Sequence, residues 1–153
     1  MKKLAVFFLS MSLFLSACGG AEPEKAESFV CGTGARQCFA MSGDTLISAA
    51  GNGVRGFDLM GGTVFDIRAD MAHPAVCSNG SGAAIYDVGG SAIVYGDGSR
   101  LSFENTIISA SLSEGGFLAV CADEPGYKGA VTVYSQEKRP VYKWYSADRR
   151  TVG

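Results

Sequence analysis

The sequence predicts an all-β fold made of repeated four-stranded antiparallel sheets, and three observations support this prediction. Glycine is abundant, at 21 of 153 residues, whereas proline is scarce, at 4, a composition that suits short strands joined by tight turns. The apolar runs are rich in Val, Ile, Phe and Tyr, and glycine interrupts them every few residues, which favours strands over helices. A hairpin pattern also recurs along the chain.

The recurring pattern is an aromatic residue, a turn, and then valine close to a second aromatic residue. It occupies residues 57–65 and 134–142 with the same length, and residues 86–95 with one extra residue. Strand-forming residues flank each turn, and the turn itself holds glycine or charged residues, as a hairpin requires. The repetition therefore indicates one supersecondary unit that is used several times.

Three such units follow one another along the chain. The first unit, in residues 36–68, has predicted strands at 38–41, 45–49, 54–57 and 63–67. The second unit, in residues 71–104, has predicted strands at 75–77, 83–86, 92–95 and 101–103. The third and clearest unit has predicted strands at 107–112, 117–121, 130–134 and 141–145. Four antiparallel strands in about 40 residues match one β-propeller blade, although the hairpins of a β-sandwich could resemble each other by chance.

The three units predict a partial propeller of about three β-propeller-like blades within residues 29–153. A closed propeller needs at least about four blades. Residues 147–153 abandon the apolar alternation where another strand would begin. We therefore expect the repeat domain to be incomplete at its C-terminus, and a complete small β protein with a polar tail is the alternative.

The N-terminus has the layout of an export signal. Two lysines follow Met1, residues 4–15 are almost wholly apolar, and Leu-Ser-Ala-Cys closes the segment at residues 15–18. The apolar run is too short for a transmembrane helix, which needs about 20 apolar residues. The segment resembles the lipobox of bacterial lipoproteins. The resemblance implies that residues 1–17 are a signal peptide, removed on export, and that Cys18 is then lipidated.

Residues 18–28 are small, polar and charged, without apolar periodicity, and are predicted to be a flexible tether behind the lipid anchor. We therefore expect an extracytoplasmic protein that is attached to the bacterial cell membrane through lipidated Cys18. Removal of residues 1–17 takes two lysines from the 13 basic residues and leaves all 15 acidic ones, so the mature chain has a net charge of −4. Without a basic block, nucleic acid is not an expected partner.

Four stretches, at residues 108–112, 116–120, 126–134 and 141–146, are similar to an uncharacterised propeller-like family of Gram-positive bacterial surface proteins of unknown function. The resemblance spans about residues 29–146, and residues 126–134 are its most specific part. It implies a hydrophobic N-terminal anchor and more blades than the three predicted here. It supplies no catalytic residues.

Four cysteines remain once Cys18 is assigned to the anchor. An even number of cysteines in an exported chain permits disulfides. Cys31 and Cys38 bracket a turn-like loop, so these two could face each other across a hairpin and form a disulfide. Cys77 and Cys121 lie at the ends of apolar runs and are predicted to be small buried residues.

No spacing in the sequence predicts a catalytic or metal site. His73 is the single histidine and lies in a predicted loop, so neither a Ser-His-Asp triad nor a zinc site can be argued. Asp44, Asp97 and Asp123 lie in predicted loops without the spacing of a calcium-binding loop. The glycine pairs open no helix and predict turns, not a phosphate-binding loop. We expect no metal and no cofactor.

The last predicted strand is rich in aromatic residues. Alternation puts Tyr142 and Trp144 on one face, and Lys143 and Tyr145 on the other. The Tyr142 and Trp144 rings could contact a glycan or a peptide. The favoured alternative is that they fill the gap between neighbouring blades.

These observations predict a non-enzymatic binding or scaffolding module at the membrane, with an unidentified protein or glycan as its ligand. Tyr127 and Lys128, in the longest predicted loop, are the residues that we expect to contact this partner. The alternative is a fragment of a propeller-type enzyme, either quinoprotein-like or glycan-cleaving.

Overall fold

A computed structural model of the chain describes residues 28–31 and 36–146, and these residues form twelve β-strands and no helix. The first sheet contains β1 (Cys38–Ser42), β2 (Thr45–Ala50), β3 (Gly53–Phe57) and β4 (Thr63–Arg68). The second contains β5 (Pro74–Ser78), β6 (Ala83–Asp87), β7 (Ala92–Tyr95) and β8 (Arg100–Ser102). The third contains β9 (Ile107–Leu112), β10 (Leu118–Ala122), β11 (Ala130–Tyr134) and β12 (Pro140–Tyr145).

The strands of each sheet follow one another in chain order, and every neighbouring pair is antiparallel. The prediction of three four-stranded antiparallel sheets is confirmed, and each predicted strand agrees with the observed one to within one residue at either end. The first strands lie nearest one another, because β5 contacts both β1 and β9. The sheets are therefore arranged like consecutive propeller blades. Within the described residues they do not close into a ring.

Several sequence-based predictions fall on segments outside the described residues. These are the signal peptide at residues 1–17, the anchor at Cys18 and the polar tail at residues 147–153. In the part of the chain that the structure covers, there is no helix of the length and apolar character that a membrane span requires.

Two apolar cores hold the three sheets together. Side chains alternate between the two faces of a strand, and β6 shows the consequence. Ala83 and Ile85 pack in the core that the second sheet shares with the first, whereas Ala84 and Tyr86 pack in the core that it shares with the third. We call the face of a sheet that is directed toward the next sheet along the chain its forward face, and the opposite face its backward face. For the third sheet, the backward face is the one that packs on the second sheet, and the forward face is the opposite one.

The turns between the third and fourth strands have the same geometry in all three sheets. The backbone N–H of Gly61, Gly98 or Lys138 donates to the carbonyl oxygen three residues earlier, at 3.0, 2.9 and 2.9 Å. All three residues have positive φ, at 83°, 80° and 63°. Glycine adopts this conformation readily, whereas a lysine there is strained by about 1–2 kcal/mol. Contacts of the Lys138 side chain must therefore offset this backbone strain.

Truncation of a core side chain tests the packing between the first two sheets. Ile85 is 1% exposed, so Ile85→Ala leaves a cavity and should lower the free energy of unfolding by about 2–5 kcal/mol. The matched control is Val88→Ala, which changes an exposed residue and should alter stability by less than about 0.5 kcal/mol. Urea unfolding followed by circular dichroism measures both. A loss below about 1 kcal/mol for Ile85→Ala would contradict tight packing between these sheets.

Candidate functional site

The fourth strand of each sheet places two large apolar residues on the forward face. In the first sheet these are Phe65 and Ile67, which pack against the first core. In the second sheet they are Leu101 of β8 and Phe103, which directly follows β8 and packs against the second core. The third sheet carries its own pair at the same place, and no described sheet follows to cover it.

The forward face of the third sheet is an exposed, largely apolar surface that we call the open face. Paired residues form two rows across the four strands of this face. The first row contains Ser111, Ala119, Val133 and Tyr142, and the second contains Ser109, Cys121, Val131 and Trp144. Tyr142 is 61% exposed and Trp144 is 51% exposed. The alternation predicted for this strand is correct, but the predicted burial between blades is not observed, because no neighbouring sheet covers these rings in the described residues.

The forward face of the second sheet shows what such a surface does when it is covered. Ala84 lies between Cys77 and Tyr95, and Tyr86 lies between Ala75 and Ile93. These rows run across successive strands in the same way as those of the open face, and they form one side of the core shared with the third sheet. The open face therefore repeats the pattern of a surface that this chain already uses for sheet-to-sheet packing.

Within the part of the chain that the structure describes, the backward face of the first sheet is the other face without a neighbouring sheet. Phe29, from the segment that precedes β1, covers part of it and lies 5.6 Å from Phe57 between ring centroids. This contact resembles the one between Phe103 and Tyr134, at 5.7 Å, in the second core. The N-terminal segment thus supplies one aromatic contact of the kind that a preceding sheet would make.

A polar cavity of about 390 Å³ lies on this face, and its lining includes Gln37, Ser48, Arg55, Asp66, Arg68 and Asp70. The Nε atom of Arg55 is 3.0 Å from a carboxylate oxygen of Asp66. The Gln37 side-chain amide donates a 2.7 Å hydrogen bond to the buried Ser48 hydroxyl. Two arginines and two aspartates balance the charge of this cavity, and its guanidinium groups offer flat cationic surfaces to an aromatic ring.

Lys138 links the third sheet to the second. Its ammonium lies 3.0 Å from an Asp97 carboxylate oxygen and 4.5 Å from the centre of the Tyr95 ring, and it also contacts the Ser99 hydroxyl. Partial burial acts to raise the pKa of Asp97, but hydrogen bonds from Ser99 and the contact with Lys138 outweigh it and lower this pKa to about 2. Burial, followed by nearby negative charge, raises the pKa of Tyr95 to about 12. The neutral phenol and the ionised carboxylate therefore both persist at neutral pH.

Tyr127 and Lys128, the predicted partner contacts, lie away from the open face. The Tyr127 ring is half-buried against Tyr145, with 4.9 Å between ring centroids, and Lys128 is exposed. Lys143, beside Tyr145, is 3.0 Å from a Glu124 carboxylate oxygen, and this hydrogen bond raises its pKa. The structure does not bring Tyr127 together with Tyr142 or Trp144, and its role as a contact residue stays a prediction.

All four cysteines in the described residues are free and half-buried. Burial raises the pKa of the Cys38 and Cys77 thiols, which makes them weak nucleophiles. Cys121 lies in the middle of the open face. A disulfide between Cys31 and Cys38 stays a prediction.

The described residues contain no group of three or more His, Cys, Asp or Glu side chains arranged to hold a metal ion. His73 lies directly before β5, and its backbone N–H donates a 2.5 Å hydrogen bond to a carboxylate oxygen of Asp87.

The sequence did not reveal the importance of Lys138 or of the Arg55–Asp66 pair. Lys138 could have been singled out because the equivalent turns of the other two sheets have glycine at this position. This equivalence is visible only once the pairing register of the hairpins is known.

The depressed pKa of Asp97 predicts a pH-dependent contribution to stability. Because this pKa lies below the ordinary value of 3.8, the stabilisation is complete above that pH and is lost as the pH falls toward 2. Asp97 is well exposed, so solvent screening keeps the effect below about 1 kcal/mol. We expect Asp97→Asn to be less stable than the native chain at about pH 7 and nearly equal to it at about pH 2.

Urea unfolding at the two pH values measures this difference. The control is Asp44→Asn, which changes an exposed aspartate in the turn between β1 and β2. An Asp97→Asn deficit that is the same at both pH values would show that the carboxylate charge has no part in the link to Lys138.

Comparison with known proteins places the chain in a family. A model described as a family of unknown function, DUF5711, matches residues 27–148. The search of curated proteins gave no match. Among solved structures, the chain is similar to the β-propeller domain of Cps50 (Swd1) from Myceliophteria thermophila, with a TM-score of 0.45 and 14% identity over 83% of this chain. It spans 60% of the length of that structure. Because the family model covers most of its residues, the chain belongs to the DUF5711 family of unknown function.

Proposed function

We propose that this chain is a non-enzymatic binding module that lipidated Cys18 tethers to the outer side of a bacterial cell membrane. The basic start, the short apolar run and Leu-Ser-Ala-Cys at residues 15–18 support the anchor, and the polar residues 18–28 suit a tether. The single observation that carries the binding role is the open face, on which Tyr142 and Trp144 remain exposed.

A protein surface is the ligand that suits the open face best. Val131 and Val133 lie beside the two rings, and such a contiguous apolar surface marks an interaction site in a soluble domain. The covered forward face of the second sheet meets Leu118 and Val120 of the third. The proposed partner accordingly presents a β-sheet face with exposed apolar side chains. A glycan would need more polar groups around the rings than the two serines of this face provide.

The anchor is tested by metabolic labelling. Cells that express the full chain and receive an alkyne-bearing fatty acid should incorporate the label into the protein, and the labelled protein should sediment with membranes. Cys18→Ser should lose the label because no other residue has the lipobox context. Cys38→Ser, a change at another cysteine, should retain it. Label on the Cys18→Ser chain, or none on the native chain, would refute lipidation at this residue.

The binding role is tested by photo-crosslinking from the open face. A benzoylphenylalanine at position 144 should form a covalent adduct with a protein partner in intact cells, whereas the same group at position 60, an exposed turn residue, should not. Trp144→Ala should weaken binding to that partner about 30-fold, as expected for an aromatic hot spot. Equal adducts from both positions, or binding to glycans without a protein adduct, would argue against the proposal.

A further inference from the structure

We propose that the surface covering the open face is the backward face of the first sheet in a second copy of this chain. Two copies would then join head to tail through two equivalent contacts. The three sheets that the structure describes in each copy would form one ring of six. This inference rests on the proposed function, because it names the partner of the open face.

The two contacts between neighbouring sheets within the chain show which faces pack together, and the proposed contact between copies follows the same order. The forward face of the first sheet packs on the backward face of the second, and the forward face of the second packs on the backward face of the third. Only the forward face of the third sheet and the backward face of the first are left without a neighbouring sheet in the described residues. A contact between these two faces would continue the same order.

The backward face of the first sheet has exposed apolar residues near the axis of the sheets. Phe39 is 51% exposed and Met41 is 38% exposed, both on β1. The register places Met41 opposite Leu46, so the apolar surface continues onto β2. On the third sheet, Ala110 and Leu112 of the first strand pack into the second core. Phe39 and Met41 are the first-strand residues that would be buried by an equivalent contact.

The outer strands of the two faces are complementary in chemistry. The open face carries Tyr142 and Trp144 on β12, whereas the opposing β4 carries Asp66 and Arg68 beside the cavity of about 390 Å³. An indole ring in this cavity could stack on a guanidinium group, a contact worth more when it is shielded from water.

Six sheets form a reasonable ring because closed propellers contain about four to eight blades. A head-to-tail contact closes only when the rotation per copy fits the ring, and six is the only multiple of three sheets within this range. The competing arrangement joins two open faces to each other. It would cover Tyr142 and Trp144 but leave Phe39 and Met41 exposed.

The oligomeric state of the detergent-solubilised full chain tests the inference, with light scattering giving the protein mass inside the micelle. The native chain should be a dimer. Trp144→Glu and Met41→Glu should each raise the dimer dissociation constant at least about 30-fold, because each places a charge in both contacts. The matched control, Met60→Glu, changes a more exposed methionine that lies in a turn and should remain dimeric.

Mixing the two weakened variants separates the head-to-tail arrangement from its competitor. A Trp144→Glu copy with a Met41→Glu copy retains one native contact, so the mixture should dimerise more strongly than either variant alone. If Met41→Glu stayed dimeric while Trp144→Glu became monomeric, the open faces would be joined to each other and the inference would be wrong. Circular dichroism verifies folding, and Phe39→Glu replaces Met41→Glu should that variant unfold.

A monomeric native chain, or an open filament, would also overturn the inference. Its failure is distinct from failure of the proposed function. A monomer whose position 144 still crosslinks to a different protein retains the binding role and loses only the second copy as partner. A monomer without a position-specific adduct loses both.

Discussion

Each four-stranded sheet in this chain has two faces, and an apolar face must be covered to remain stable in water. The second sheet meets this requirement on both sides, because Ile85 and Val94 lie against the first sheet whereas Tyr86 and Ile93 lie against the third. The same strands supply both sets of side chains, so a register slip of one residue would exchange the two faces. Strand register therefore sets the internal pairing and both contacts with neighbouring sheets.

The sheets at either end meet this constraint in different ways. The first sheet uses Phe29 to cover Phe57, much as Phe103 covers Tyr134 between the second and third sheets, and much of the remaining outer surface is polar. The third sheet keeps an apolar forward face with Trp144 exposed. In the described residues this asymmetry makes the forward face of the third sheet the more apolar of the two outer surfaces, and a partner is the ordinary means by which such a surface is covered.

The strands were predictable because glycine-containing turns and a period of two mark them directly in the sequence. Alternation also placed Tyr142 and Trp144 on one face correctly. Their exposure was not predictable, since the sequence pattern of a strand is the same whether or not another sheet packs on it. The contact between Phe29 and Phe57 was equally hidden, because it joins a segment without strand pattern to a distant hairpin. Pairing within a sheet is local information, whereas the covering of a face depends on the tertiary arrangement.

The strained Lys138 turn has a bearing on how the open face can bind. A glycine would avoid the unfavourable backbone conformation of about 1–2 kcal/mol, but it could not reach Tyr95 and Asp97 in the second sheet. The lysine lies in the hairpin that leads into β12, so its contacts hold the strand that carries Tyr142 and Trp144 against the rest of the molecule. A strand that is fixed in advance loses little conformational freedom when a partner docks. The cross-sheet link thus favours tight association at the open face, even though it makes no contact with that surface itself.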